Sequence, residues 1–329
     1  MEKFSKILVF TVLVALCACN KTPEPIVPPI VDNYSLIAPP TGLTKNAALS
    51  TSYPKTAAMF EMTTPFRAYA CVFDLSDTTL ALRTGLNTAR QTPTDWQSSI
   101  SSDGTKVLML VNGGYFDLTN GSSYSLAIDN SKIASFNVKA LSRTYNGTAT
   151  NYYPTRGAFG LTKNTPSVGW VYNTSGTDNY MYPSPSPNAL NTAPQAVPTA
   201  SFPAGGALWS PSVAIGGSPV LMYKNSINIS DAAELIDINN TTGRSRTAIG
   251  FTADKRVVVL TIEKSTTRST NGANLVETAQ LMKDWGCTDA LNLDGGGSTC
   301  MLAWGNQSTN TPEAGAQRAV TSVVYLTKK

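Results

Sequence analysis

Two apolar runs in this 329-residue chain each stop at a cluster of glycines. Lys106 to Val111 (K-V-L-M-L-V) runs into Asn112-Gly113-Gly114-Tyr115-Phe116-Asp117, and Ala290-Leu291-Asn292-Leu293 runs into Asp294-Gly295-Gly296-Gly297-Ser298-Thr299. Runs with so few polar interruptions read as strands buried on both faces. Consecutive glycines drop the Cβ and permit positive φ, so a ligand can come close to the backbone. Their amides can converge on an anion. Asp294 is then a carboxylate held at the end of a rigid strand, and Asn112 is an amide at the end of the other. One such turn alone is only a tight turn. Two, each flanked by Asn and Asp, point to a site. Neither is a phosphate-binding P-loop, because no Gly-Lys-Ser/Thr follows.

The rest of the chain reads mainly as strands. Phe66 to Asp74 is one, with Leu80-Ala81-Leu82 its candidate partner across the Ser76-Asp77 turn. Thr94 with Gln97 has capping-box spacing for a short helix before Ser102. Ala158 to Thr162, Val168 to Tyr172, Trp209 to Ile215 and Val220 to Tyr223 follow as strands. Thr247 to Phe251 and Arg256 to Ile262 form a hairpin pattern. The clearest helix follows it. Asn274 caps it, Glu277 returns the bond, Leu275, Ala279, Met282 and Trp285 share one face, and Gly286 ends it. A final strand runs from Arg318 to Leu326. The helix between strands 256–262 and 290–293 predicts a β-α-β crossover and some parallel pairing. The expected fold class is therefore α+β, a mixed β-sheet core with a few helices.

The N-terminus predicts export. Lys3 and Lys6 precede an apolar run from Ile7 to Ala18, which suits a signal peptide over 1–18. Leu16-Cys17-Ala18-Cys19 resembles a lipobox, with Cys19 as the lipidated residue. Residues 19–45, rich in proline, read as a stiff tether, and 46–329 as the folded domain. The expected location is a bacterial membrane, held by lipid on its periplasmic or cell-surface face. Ser175 to Pro203 holds six prolines and reads as a long surface loop or insertion.

Lys+Arg 25 against Asp+Glu 21, with no basic cluster, gives no nucleic-acid surface. Beyond the lipobox stand Cys71, Cys287 and Cys300, in no zinc spacing. Cys287 and Cys300 are the best candidates for a disulfide; buried free thiols fit as well, and the odd count leans that way. The chain has no histidine. That excludes Ser-His-Asp and Cys-His catalysis and any His-ligated metal. Acid–base work near neutral pH must fall to Asp, Glu, Tyr, Lys or an activated water. Arg246 and Arg318 each precede a strand; a guanidinium can grip phosphate through two bonds, but such residues are more often solvated.

V-N-G-G-Y-F-D (111–117), R-T-A-I-G (246–250), N-L-V-E-T-A-Q-L-M (274–282), D-A-L-N-L-D-G-G-G-S-T (289–299) and R-A-V-T-S-V (318–323) occur in this order. Together they resemble the phosphodiester glycosidase family, from about Pro65 to Leu326. The resemblance implies hydrolysis of a sugar-1-phosphodiester, releasing the sugar and leaving a phosphomonoester. Carried onto this chain, it makes Asp294, Arg246 and Asn112 the catalytic candidates. Gly113, Gly114, Tyr115, Asp117, Asn292, Gly295, Gly296, Gly297, Ser298, Thr299 and Arg318 are candidates for contact with substrate, and Phe116 and Glu277 for support behind them.

The chemistry suits these residues. A carboxylate stabilises an oxocarbenium-like state, so Asp294 is placed at the anomeric carbon as nucleophile or as base for water. A phosphate leaving group needs charge stabilisation more than a proton, and Arg246 with the glycine amides can supply it. Asn112 would orient a hydroxyl or water. No cofactor is called for, and a metal requirement stays open. The expected partners are a phosphorylated carbohydrate and, through the lipid anchor, a membrane. The competing readings are a non-catalytic surface glycan-binding lipoprotein and a metal-dependent phosphodiesterase cutting P–O.

Overall fold

The computed structural model describes residues 43–329. The expected signal peptide, Cys19 and most of the tether lie outside them. Three antiparallel sheets build the fold, of eight, seven and five strands. The eight-stranded sheet runs, from edge to edge, through Leu43–Lys45, Ala57–Met62, Ala68–Asp74, Arg256–Ile262, Arg246–Thr252, Cys287–Asn292, Val220–Tyr223 and Ser226–Ile227. The five-stranded sheet centres on Lys106–Asn112, between Met301–Ala303 and Val320–Lys328.

One core joins the three sheets. Met59, Cys71, Val257 and Leu291 come from the first, Phe159, Trp170 and Ile215 from the seven-stranded sheet, and Met109, Val324 and Leu326 from the third. The larger sheet is also covered on its other face. Helix α2 (Leu275–Asp284) lays Ala279 and Met282, with Trp285 just beyond it, against Ala248, Val258, Leu260 and Ala290. The Trp285 ring meets Phe60 edge-on at 5.1 Å. Burial on both sides is why these strands read as continuous apolar runs. Helix α1 (Pro93–Ser101) packs Trp96 on the outer face of the five-stranded sheet, with its indole N–H donating to Val320 O at 3.2 Å.

The α+β expectation is overturned: the fold is β-rich, and α1 and α2 are its only α-helices among the described residues. The parallel pairing expected across the crossover is absent, and the pairs within the eight-stranded sheet are antiparallel. Arg256–Ile262 and Cys287–Asn292 run in the same direction with α2 between them in sequence. They are not neighbours, because Arg246–Thr252 lies between them and is antiparallel to both. Apolar runs cannot tell a parallel neighbour from one strand further on.

Other local readings change too. Leu80–Gln91 pairs with Val320–Lys328, while Ala68–Asp74 pairs with Ala57–Met62 and Arg256–Ile262. The cap of α1 is Thr92, accepting from Asp95 N–H, one residue ahead of Pro93; Thr94 instead donates to Gln317. The 175–203 stretch includes strand Asp178–Tyr182, paired with Thr165–Ser175. The α2 capping box stands as expected, and Gly286 adopts φ +78°. Cys71, Cys287 and Cys300 are buried free thiols, and Cys287 and Cys300 do not pair.

Candidate functional site

The two glycine turns end strands of different sheets, and they meet. Asp294 N–H donates to Gly113 O at 3.1 Å, and Asn112 Nδ2 donates to Asp294 O at 2.6 Å. Asn112 Oδ1 accepts from Thr247 Oγ1 at 2.8 Å and Cys300 N–H at 3.2 Å. The Asn112 amide is thus fully buried and engaged on both sides. It clamps the site from behind and is not among the residues lining the pocket in front, unlike the expectation that it orients a hydroxyl or water.

In front of this clamp opens a pocket of ≈ 330 Å³. Asp294, Gly295 and Gly296 form one wall, Asp237, Ile238 and Asn239 another, and Arg244, Arg246 and Arg318 supply cations. Tyr115 and Leu118 complete the lining.

Asp294 carries the most perturbed acid in the pocket. Burial pushes its carboxyl up to about 6, against the opposing pull of the Ser298 hydroxyl, the Gly295 N–H at 2.9 Å and the Arg318 charge. Such a group is ionised at neutral pH yet basic enough to accept a proton. Ser298 links it to a cation, because Arg318 Nη1 donates to Ser298 Oγ at 3.3 Å. Burial, then the nearby Asp294 charge, drives the Tyr115 phenol well above its usual range. It stays a neutral donor, with its hydroxyl 2.6 Å from Ser218 O, and it accepts from Asn292 Nδ2 at 2.8 Å. Asn292 is buried and supports Tyr115 from below.

The arginines divide differently from expectation. Arg246 is buried, and its guanidinium donates to four main-chain carbonyls: Ala273 at 2.9 Å, Ile238 at 3.2 Å, Asn239 at 2.7 Å and Thr242 at 3.2 Å. It touches the pocket but acts as a strut for the 238–242 loop. Arg244, two residues earlier, has a side chain 35% exposed. Glu313 aims it, accepting from Arg244 Nε at 3.0 Å and from Ser245 N–H at 3.1 Å. Arg244 and Arg318 are the guanidinium groups best placed to meet an anion. Sequence reasoning gave Arg244 no role and missed Asp237, Ile238, Asn239, Leu118 and Glu313. The one local signal was the polar Asn239-Asn240-Thr241-Thr242-Gly243 run just ahead of Arg244.

The glycines also sort. A Cβ on Gly113 would come 2.5 Å from Ser322 Oγ, and one on Gly114 would strike Ser125 and the Gly216 carbonyl. These two serve strand packing, not ligand approach. In the other turn, Gly295 N–H is held by Asp294 and Gly296 N–H by Ser245 O at 2.7 Å, so these two amides do not form an open anion cradle. Gly297 instead makes room for the Arg318 guanidinium, which lies where a Cβ would stand. Thr299 is buried against Thr247. Phe116 belongs to the core beneath α1. Asp117 closes its own turn, accepting from Thr119 N–H at 2.7 Å and from Tyr124 Oη at 2.8 Å. Glu277 caps α2, beside Met62 and Phe66, and does not line this pocket. Among the described residues, no group of three or more Cys, Asp or Glu side chains is placed to hold a metal ion.

The profile of the phosphodiester glycosidase family matches residues 105–327, which span both glycine turns, Arg244, Arg246, Asp237 and Arg318. The chain belongs to the phosphodiester glycosidase family. Among solved structures, this chain is similar to the zebrafish N-acetylglucosamine-1-phosphodiester alpha-N-acetylglucosaminidase catalytic domain, auto-inhibited by its pro-peptide. The TM-score is 0.52 at 17% identity, covering 88% of this chain and 89% of that one. It is also similar to a hypothetical protein from Synechocystis, with TM-score 0.55 at 15% identity over 84% of this chain; it spans 63% of that protein's length. At these identities the likeness is one of fold. No curated protein matches the sequence.

Proposed function

We propose that this member of the phosphodiester glycosidase family hydrolyses a sugar-1-phosphodiester, releasing the sugar and leaving a phosphomonoester. The observation that carries the reading is Asp294. It is a carboxyl poised at about 6 in a pocket that also presents the guanidinium groups of Arg244 and Arg318.

The chemistry follows from that arrangement. As the bond from the anomeric carbon to the phosphate oxygen breaks, its electron pair passes to the phosphate. Arg244 and Arg318 stabilise that charge. The sugar develops oxocarbenium character, and water attacks the anomeric carbon while Asp294 accepts the proton that water gives up. No histidine is needed, since the departing phosphate requires no general acid. Family membership and the zebrafish enzyme's name support a sugar phosphodiester substrate. We also propose, from the lipobox-like Leu16-Cys17-Ala18-Cys19, that the protein is exported and lipid-anchored.

The test is a panel of methyl phosphodiesters of common sugar 1-phosphates, with free sugar, methyl phosphate and sugar 1-phosphate scored separately. Free sugar with methyl phosphate supports the reading. Sugar 1-phosphate as the product would mean P–O cleavage and would overturn it.

A further inference from the structure

The 231–242 loop forms the wall facing Asp294 and is far more firmly built than a connecting loop requires. Glu234 is fully buried within it and accepts five hydrogen bonds: from Trp170 Nε1, Val220 N–H, Ser230 Oγ, Gly157 N–H and Ser218 Oγ. The Leu235 carbonyl receives guanidinium donors from both Arg143 and Arg156, each at 3.4 Å. Arg246 holds the carbonyls of Ile238, Asn239 and Thr242. Leu235 adopts φ +51° and Asn239 φ +59°. A left-handed conformation at a leucine is uncommon and is sustained only where surrounding contacts impose it.

Between these anchors stands Asp237. It is exposed and lines the pocket. Its carboxylate accepts one weak bond, from Asn239 N–H at 3.3 Å. Among the described residues it forms no ion pair, although three arginines line the same pocket. A turn-closing Asp would account for the Asn239 contact, but not for such a rigid mount of an unpaired carboxylate in the pocket lining. Rigid mounting of a polar group cuts the ordering cost of binding a ligand to it.

We infer that Asp237 is the sugar-recognising carboxylate of this pocket, accepting hydrogen bonds from ring hydroxyls of the substrate while Arg244 and Arg318 hold the phosphate. The inference rests on the reading of the pocket as a sugar phosphodiester site. It also explains the placement of Arg246, which orients the loop that carries Asp237. As positive charge develops in the ring, its hydroxyls become stronger donors, so a carboxylate partner binds the transition state more tightly than the ground state. Asp237 thus contributes to rate as well as to sugar choice.

The experiment compares wild type with Asp237→Asn and Asp237→Ala on the methyl phosphodiester that wild type hydrolyses fastest, and on its monodeoxy series. Asp237→Asn should lower kcat/KM on the parent sugar by roughly 10- to 100-fold. On the analogue lacking the contacted hydroxyl, the same substitution should cost less than about threefold. Inhibition by inorganic phosphate and the melting temperature should match wild type, because the phosphate contacts and the loop anchors are untouched. An equal loss on the parent and every deoxy analogue, or no loss on the parent, would overturn the inference while leaving the proposed hydrolysis intact. Wild type inert on the whole panel would overturn the hydrolysis, and the inference with it.

Discussion

Asn112 Nδ2 donates to the main-chain carbonyl of Asp294 at 2.6 Å, across two sheets and 182 residues of sequence. That bond joins the five-stranded sheet to the eight-stranded one at the floor of the pocket, and it sets where the Asp294 backbone lies. Asn112→Ala would take the side-chain partner from the Asp294 carbonyl and the Cys300 N–H inside the protein and leave the Thr247 hydroxyl only its longer bond to Thr299. It should cost about 2–4 kcal/mol in urea unfolding. Activity should fall mainly through kcat, since Asp294 loses its position while the arginines keep theirs.

The three pocket arginines separate by what each one touches. Arg246→Met removes four guanidinium bonds to main-chain carbonyls, of which Ala273 and Asn239 keep a backbone donor, and should lower stability by about 2–3 kcal/mol. Arg244→Gln and Arg318→Gln should stay within about 1 kcal/mol of wild type, since both guanidinium groups face the pocket. Each of these two should weaken competitive inhibition by inorganic phosphate by roughly tenfold, the loss of one charge-assisted bond. If Arg246→Met alone weakened phosphate inhibition and left stability unchanged, the assignment of strut and clamp would be reversed.

Two glycines give opposite signatures. The atoms nearest a Cβ at Gly297 are all in the movable end of Arg318. Gly297→Ala should displace that guanidinium and lower kcat/KM by about tenfold at an unchanged melting temperature. Gly114→Ala meets the Gly216 carbonyl and the Ser125 Cβ, which cannot step aside. It should destabilise the fold by about 1–3 kcal/mol or more. Thermal melts run beside steady-state kinetics separate the two.

The Asp294 carboxyl fixes a pH dependence of both rate and stability. As a base it must be ionised, so kcat/KM should fall as pH drops through about 6. Its folded value lies above the ordinary aspartate value of 3.8. The folded state therefore holds the proton more tightly, and stability is lost as pH rises from near 4 through about 6. Asp294→Asn removes that penalty. It should stabilise the protein by roughly 2 kcal/mol at pH 7, with the gain shrinking toward zero below pH 4. Paired unfolding curves at pH 4 and pH 7 measure the difference.

Much of this was legible in the sequence, and the misses have causes. The glycine turns, the central Lys106–Asn112 strand and the capping box of α2 all rest on neighbours within a few residues, which local pattern reports. The sheet order did not follow, because strands buried on both faces show the same apolar run whatever lies beside them. Arg244 and Arg246 are two apart, the first at a lone bridge to Ala273 and the second at the start of its strand, and they look alike in sequence. Only the folding back of the 238–242 loop decides that Arg246 is enclosed and Arg244 is left in the pocket. Asp237 was missed for the same reason: its importance comes from Glu234 and Arg246 anchoring its loop, and neither contact leaves a periodic trace.

The central claim is that Asp294 directs water to the sugar carbon and not to phosphorus. The most direct measurement is turnover of the best methyl phosphodiester in water enriched in oxygen-18, with both products weighed by mass spectrometry. Wild type should place the label in the sugar and none in the methyl phosphate, and Asp294→Asn should slow that turnover by about 1,000-fold or more. Label in a phosphate group, or unchanged turnover by Asp294→Asn, would contradict the account.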